Sequence, residues 1–142
     1  MKRFAIFGAS GFGREVLPVA RQQLDQTEAQ PWDLVFVDDN PPANNLNGHR
    51  VLKYSQWLSE PSDRHHICLA IGNGAVREEL AVRCVADGVA FFNVKASNVV
   101  VMDDVQIGLG AVLSPFVTLT SNVRIGSHFH ANIYSYVAHD CV

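Results

Sequence analysis

Residues 101–142 read VMDDVQ IGLGAV LSPFVT LTSNVR IGSHFH ANIYSY VAHDCV, which is seven six-residue blocks with no gap between them. The first position of every block is apolar, and the fifth is small or apolar. A unit repeated at so short a period cannot bury its own apolar face and must stack on copies of itself. Six residues are too few for a helical repeat, so the pattern predicts a parallel β-helix.

The block pattern resembles that of the left-handed β-helix acyltransferases. This resemblance implies three blocks to each triangular coil, with the first-position aliphatic side chain pointing inward and Gly or Asn at the corners. Residues of these two types stand where corners are expected, namely Gly108, Gly110, Asn122, Gly126 and Asn132. The alternative is an ordinary β-meander, which keeps this period only if every turn has the same length.

Composition narrows the class of protein. The chain has 142 residues, of which 48% are hydrophobic and 18% charged, as in a soluble globular protein of one domain or two small ones. A net charge of −3 argues against a nucleic-acid partner. There is no membrane-spanning apolar run and no signal-peptide pattern, so we expect a cytoplasmic protein. Three cysteines without metal-type spacing predict reduced core thiols and no metal site; they are Cys68, Cys84 and Cys141.

The first ninety-odd residues show a different rhythm, in which short apolar strands alternate with helical patterns. Such alternation predicts a small parallel α/β sheet, half of a Rossmann-like fold. We therefore expect an α/β domain over residues 1–95 and the first, incomplete coils of a left-handed β-helix over 96–142. The predicted strands are 3–7, 34–37, one near 51, 66–71 and 90–94, with helices after the glycine turn, near 58 and over 76–86.

A glycine turn, GASGFG, follows the first strand and carries chemistry for a physical reason. Its glycines let the backbone approach a ligand, and the N–H groups that open the next helix favour a phosphate. The other loops at the carboxyl ends of the strands meet at the same edge of the sheet. The predicted nucleotide-contacting residues are Gly8, Ser10, Gly11, Gly13, Asp38, Asp39, Gly72 and Asn73. The alternative is a glycine turn that serves only tight strand–helix packing.

The size of the α/β domain bears on the ligand. A full dinucleotide fold needs two βαβαβ halves, and only about one fits before the six-residue blocks begin. One half suits one nucleotide. A uridine diphosphate, with its pyrophosphate near the helix start, would match this site better than a nicotinamide dinucleotide.

The two halves together, ending in Asn132 and then Val-Ala-His-Asp-Cys-Val over 137–142, resemble a bacterial family. Its members are acetyltransferases that N-acetylate nucleotide-linked amino sugars for surface-glycan, sialic-acid-type and bacillosamine-type pathways. The resemblance implies acetyl-CoA as co-substrate, a homotrimer for the complete protein, His139 as base, and Asp140 as the group that orients it. It also places Asn132 in the substrate site.

Elementary chemistry is consistent with that assignment. A histidine with a pKa near 6.5 can take a proton from a sugar ammonium at neutral pH, and an adjacent carboxylate can hold its tautomer. Cys141 competes as a nucleophile, but its inward fifth position predicts a buried, inert thiol. His128 and His130 are expected to be surface residues rather than metal ligands.

The sequence departs from the pattern of this family in three places. Phe12 stands where relatives often carry His, Ala138 replaces an acidic residue, and the repeat stops on a block boundary without a cap, so we expect the front part of a longer protein. We favour the acetyltransferase, or a truncated fragment of one, over two alternatives. One is an NAD-binding dehydrogenase fragment, and the other is a non-catalytic nucleotide-binding or oligomerisation module.

Overall fold

Strands and helices alternate over the first 91 residues of the computed structural model, which describes all of residues 1–142. The elements of this α/β domain are β1 (Lys2–Phe7), α1 (Gly11–Thr27), β2 (Trp32–Val37), β3 (Asn45–Leu46), β4 (His49–Leu52), α2 (Tyr54–Ser59), β5 (His65–Leu69), α3 (Gly74–Ala86) and β6 (Ala90–Phe91). The strands form one sheet in the order β3-β4-β2-β1-β5-β6, parallel except for the β3–β4 pair. The predicted α/β class is confirmed.

The central strands are covered on both faces, which explains their continuous apolar sequences. In β1, Phe4 and Ile6 pack against α1, whereas Ala5 and Phe7 pack against the side that carries α2 and α3. Trp57 of α2 is fully buried on this second side. Such double burial fixes the strand ends, and with them the loops that follow β1, β2 and β5.

The segment after β2 contains an edge hairpin, whose first strand, β3, is not among the predicted strands. β3 pairs antiparallel with β4, and the turn between them holds Asn47 at φ 50° and Gly48 at φ 82°. Asn-Gly is the pair that two-residue hairpin turns with two positive φ angles favour. The two prolines of the loop, Pro41 and Pro42, lie before the hairpin, outside any strand.

The six-residue blocks form a parallel β-helix. Each strand pairs with the strand 18 residues further on, as Val94 does with Val112 and Val112 with His130. Three blocks therefore make one coil, as the resemblance implied. The strands are β7 (Val94–Lys95), β8 (Val100–Val101), β9 (Gln106–Ile107), β10 (Val112–Leu113), β11 (Thr118–Leu119), β12 (Arg124–Ile125), β13 (His130–Ala131) and β14 (Tyr136–Val137).

The corners of the coil lie at the fourth position of each block, where the backbone is left-handed. Gly110 and Asn122 occupy such corners, as predicted, but Gly108, Gly126 and Asn132 stand at the second position instead. Gly108 is required for a different reason, because a Cβ there would lie 2.7 Å from the backbone of the next coil. The residues at positive φ are Asp104, Gly110, Phe116, Asn122, His128, Tyr134 and Asp140.

The two domains share one apolar core. Val94 and Val112 of the β-helix belong to the buried cluster that holds α1 and one face of the sheet. Gln23 of α1 ties the junction, since its side chain donates to the Asn93 carbonyl and accepts from the Lys95 N–H, both at 2.7 Å. The expected single strand over 90–94 is therefore wrong: β6 ends at Phe91, and β7 already pairs within the β-helix.

Candidate active site: an interdomain cleft and a histidine–aspartate pair

The glycine turn after β1 has two glycines that packing requires and one that it does not. Gly8 has φ 119°, and a Cβ there would lie 2.7 Å from the Ala70 carbonyl oxygen. A Cβ on Gly13 would lie 1.7 Å from the carbonyl oxygen of Gly8, so α1 can approach β1 only with glycine there. A Cβ on Gly11 would meet only the Arg14 side chain, at 3.7 Å. Space over Gly11 is therefore open to a ligand.

The start of α1 offers free donors at that open position. Ser10 is the N-cap residue, but its side chain makes no capping hydrogen bond to the helix. The first backbone N–H groups of an α-helix have no partner within the helix, and they carry the positive end of its dipole. A phosphate over Gly11 would satisfy them.

The acidic residues after β2 have partners within the protein. The Asp38 carboxylate accepts from the Ala9 N–H at 3.0 Å and, through its other oxygen, from the Asn40 N–H at 2.9 Å. It thereby fixes the glycine turn against the loop after β2. Asp39 forms a salt bridge with Arg83 of α3 at 2.9 Å. Direct contacts of either carboxylate with a ribose stay a prediction.

A cleft of about 510 Å³ lies between the two domains. The α/β domain contributes side chains and backbone from the start of α1 and from the β5–α3 loop, and the β-helix contributes the corner around His128. Predicted residues Gly72 and Asn132 meet here, while Asn73 caps α3 by accepting from the Val76 N–H at 3.1 Å. The lining residues are Phe12, Gly72, Arg77, Gly126, Ser127, His128, Phe129, His130 and Asn132.

The two histidines of the cleft are partly buried, so the prediction of surface histidines is wrong. His128 packs edge-on against Phe91, with ring centroids 4.4 Å apart. His130 donates from Nε2 to the Leu69 carbonyl at 2.8 Å and lies 4.9 Å from the ring of Phe12. Burial lowers the pKa of both imidazoles. The sequence could not show this, since the partners lie in the other domain.

His139 and Asp140 form the predicted pair at an exposed corner of the β-helix. His139 Nδ1 lies 2.9 Å from a carboxylate oxygen of Asp140, and the two side chains are 81% and 72% exposed. An ionised carboxylate can only accept, so Nδ1 carries a proton, and in the neutral imidazole with this tautomer the lone pair is on Nε2. The corner of Asp140 is that of Asp104 and Asn122, different from the corner of His128 beside the cleft.

Cys141 departs from its prediction. It was expected to be buried as a fifth-position residue, but its side chain is exposed, whereas Cys68 and Cys84 are buried. It lies in the last coil that the structure describes.

The class of protein follows from the fold. A mostly parallel α/β domain that continues into a three-sided parallel β-helix is the architecture predicted above, and the PglD N-terminal domain family matches residues 3–84. The chain belongs to this family, which confirms the resemblance drawn from the sequence. The short parallel strands that follow are consistent with the predicted left-handed β-helix.

Individual relatives sharpen the comparison. The GDP-perosamine N-acetyltransferase of Escherichia coli O157:H7 is 43% identical over 141 residues, which are 99% of this chain and 64% of that protein. The structure of WeeI from Acinetobacter baumannii AYE is 46% identical, with a TM-score of 0.92 over 100% of this chain and 66% of that one. PerB from Caulobacter crescentus, solved with CoA and GDP-perosamine, shares the fold at 20% identity, with a TM-score of 0.79 over 97% and 63% of the two chains. The chain spans about two thirds of the length of these relatives.

Two further observations concern the chain as a whole. The longest helix, α1, has 17 residues, and no helix combines the length and apolarity of a membrane span. No three His, Cys, Asp or Glu side chains are grouped so that they could hold a metal ion.

Proposed function

We propose that the protein transfers an acetyl group from acetyl-CoA to the amine of a nucleotide-linked amino sugar. The observation that carries this proposal is the His139–Asp140 pair on a β-helix joined to an anion-accepting cleft. The likeness to a GDP-perosamine N-acetyltransferase over 99% of the chain supports it. The product would serve the synthesis of surface glycans.

His139 acts as the general base in this proposal. Asp140 holds the proton on Nδ1, so the lone pair on Nε2 can accept a proton from the sugar ammonium. The freed amine attacks the thioester carbonyl, and a tetrahedral intermediate forms. The carbon–sulfur bond then breaks, and the CoA thiolate takes the proton that the new amide nitrogen loses, so CoA leaves as the thiol. The acetyl group passes directly to nitrogen, without a covalent enzyme intermediate.

The interdomain cleft holds the nucleotide diphosphate. The N–H groups at the start of α1 lie beside it, and Gly11 leaves room for phosphate oxygens. Gly72 of the α/β domain and Asn132 of the β-helix also line this cleft. We propose a GDP-linked amino sugar as the first substrate to test, because the relative that is 43% identical is a GDP-perosamine N-acetyltransferase. A UDP-linked amino sugar is the comparison.

The site also needs a second copy of the chain. His139 and the cleft lie at different corners of one β-helix, so a sugar held in the cleft of one copy meets the His139 of a neighbour. We propose a homotrimer packed along its β-helices, in which exposed aromatic side chains supply apolar contact area. These are Phe116, Tyr134 and Tyr136, which are 50%, 75% and 72% exposed. A cytoplasmic location is consistent with two soluble, phosphorylated substrates.

The experiment that tests the function is release of free CoA thiol, followed with a thiol reagent, in the protein produced from its own gene. We expect release that depends on GDP-perosamine and on its amine. The control is the matching GDP sugar with a hydroxyl in place of the amine, which should give no release. CoA release at the same rate with both sugars would refute amine acetylation.

Sharing of the site between copies has its own test. A variant that lacks the base, His139→Ala, is co-produced with a variant whose cleft is blocked, Gly11→Val. Mixed oligomers should recover part of the lost activity, because some sites combine an intact cleft with an intact His139. If oligomers confirmed to contain both variants recover no activity, each chain builds its own site.

A further inference from the structure

Arg77 is a cation of the cleft that lacks a carboxylate partner. It lies in the first turn of α3 and is partly buried. Four other arginines, namely Arg3, Arg50, Arg83 and Arg124, form salt bridges with Asp or Glu, and Arg77 forms none. A guanidinium held away from carboxylates keeps its charge available for another anion.

The side chain is held in place by the β5–α3 loop. Its Nη1 donates to the Ile71 carbonyl at 2.7 Å and lies 3.5 Å from the carbonyl oxygen of Gly72. These contacts use one edge of the guanidinium and leave the donors on Nη2 and Nε without a protein partner. A planar fork with free parallel donors matches two phosphate oxygens.

The charge of the cleft is that of Arg77 alone. Its nine lining residues include no carboxylate, and Arg77 is the only one of them with a permanent charge. Burial first, and then the positive charge of Arg77, lowers the pKa of His128 and of His130, so both imidazoles are neutral at pH 7. The guanidinium is therefore the permanent positive charge that the lining of the cleft offers to an anion.

We propose that Arg77 binds the diphosphate of the nucleotide sugar from the β5–α3 side, opposite the N–H groups of α1. This assignment rests on the proposed function for the identity of the nucleotide, but the anion site itself does not. The glycine turn then supplies directional N–H donors, and Arg77 supplies the full positive charge that the turn lacks.

The test compares three variants by calorimetry with GDP, UDP and inorganic pyrophosphate. Arg77→Gln removes the charge, and Arg77→Lys keeps the charge but loses the fork. Arg64→Gln is the matched control, because it removes the same charge at the amino end of β5. We expect Arg77→Gln to weaken GDP binding by about 10- to 100-fold, the value of a charge-assisted hydrogen bond. Arg77→Lys should lose less, and Arg64→Gln should bind as the unchanged protein does.

Salt dependence separates contact with the ligand from support of the loop. If Arg77 binds the anion, the affinity of Arg77→Gln for GDP should fall less steeply with salt than that of the unchanged protein. An equal slope would mean that Arg77 only shapes the loop, and would overturn the proposal. Unchanged GDP affinity in Arg77→Gln would also overturn it.

The outcomes also separate this proposal from the proposed function. Arg77-dependent GDP binding without acetyl transfer would refute the acetyltransferase and leave the anion site standing. Binding of pyrophosphate but of neither nucleotide would refute a nucleotide as the ligand, and Arg77 would remain an anion-binding residue. An unchanged protein that binds none of the three ligands would overturn Arg77 as an anion site.

Discussion

Substituting Gly11 by Val tests ligand binding without disturbing the fold. A Cβ at this position meets only a flexible Arg14 nitrogen at 3.7 Å, and Gly11 is not among the residues with positive φ. Val has a higher helix propensity than Gly by about 0.3 to 0.5 kcal/mol. We therefore expect the free energy of unfolding to stay within about 0.5 kcal/mol of the original value.

Nucleotide binding, unlike stability, should change strongly in Gly11→Val. The isopropyl group would fill the space over the N–H groups that open α1, and two of these groups would lose a charged acceptor. At about 1.5 kcal/mol for each hydrogen bond to a charged group, the nucleotide diphosphate should bind at least about 100-fold more weakly. Calorimetry with GDP measures this loss, and urea unfolding measures the stability of the same sample. A folded Gly11→Val protein with unchanged GDP affinity would remove the glycine turn from the site.

Gly13→Ala is the matched contrast within the same turn. Its Cβ would lie 1.7 Å from the Gly8 carbonyl oxygen, a backbone atom, so α1 must move away from β1. Overpacking of this kind costs about 1 to 3 kcal/mol, and more where backbone has to shift. We expect Gly13→Ala to lower stability and binding together. The two glycines then have separate roles, one for the ligand and one for packing.

His139→Ala should lower kcat by about 10²- to 10⁴-fold with little change in nucleotide affinity, because it removes only the base; near-normal turnover at saturating substrate would exclude this role. Gly110→Ala, at φ 79° and with a Cβ 2.3 Å from His128, should destabilise the protein by more than about 1 kcal/mol in urea unfolding, whereas Gly126→Ala, which meets nothing within 4 Å, should not. Since burial lowers the pKa of His128 and His130 in the folded state, the unfolded chain binds more protons below about pH 6.5, and the urea midpoint should fall from pH 7 to pH 5. In His130→Gln the urea midpoint should fall less between pH 7 and pH 5. An unchanged pH profile in this variant would contradict the predicted contribution of His130. Light scattering of the protein produced from its own gene should give a trimer, and a stable monomer would contradict the shared site.

The repeat was the part of the fold that the sequence could predict. Its only requirement is an apolar residue every sixth position, and Leu113 and Leu119 are buried as that pattern requires. The corner position was not predictable from residue type, because Phe116 and Tyr134 adopt the left-handed conformation usually given to Gly or Asn. Their rings stack with centroids 4.8 Å apart, so contact between coils accompanies a strained backbone that no local propensity indicates.

The candidate site was predictable only in part, for a related reason. Gly72 and Asn132 both line the cleft, and each was predictable from its place in the chain, after a strand of the α/β sheet or within a six-residue block. The partners of His128 and His130 come from how the α/β domain packs on the β-helix, and no periodic pattern contains that information. For Asp38 the sequence indicated the position, after β2, but not the hydrogen-bond partners. Its two carboxylate oxygens accept from backbone N–H groups of the protein.

The separation between cleft and base has a consequence for how this fold can evolve and be engineered. In the proposed function, the residues that bind the nucleotide come from the α/β domain and from the corner of His128. His139 and Asp140 occupy another corner of the β-helix, whose strands repeat every 18 residues. Changes in the cleft can therefore alter nucleotide preference without moving the base. Changes around His139 can alter the reaction without altering nucleotide affinity. A single substitution that changes both parameters would then indicate a contact between copies, and the exposed Tyr134 and Tyr136 are the positions at which to look for it.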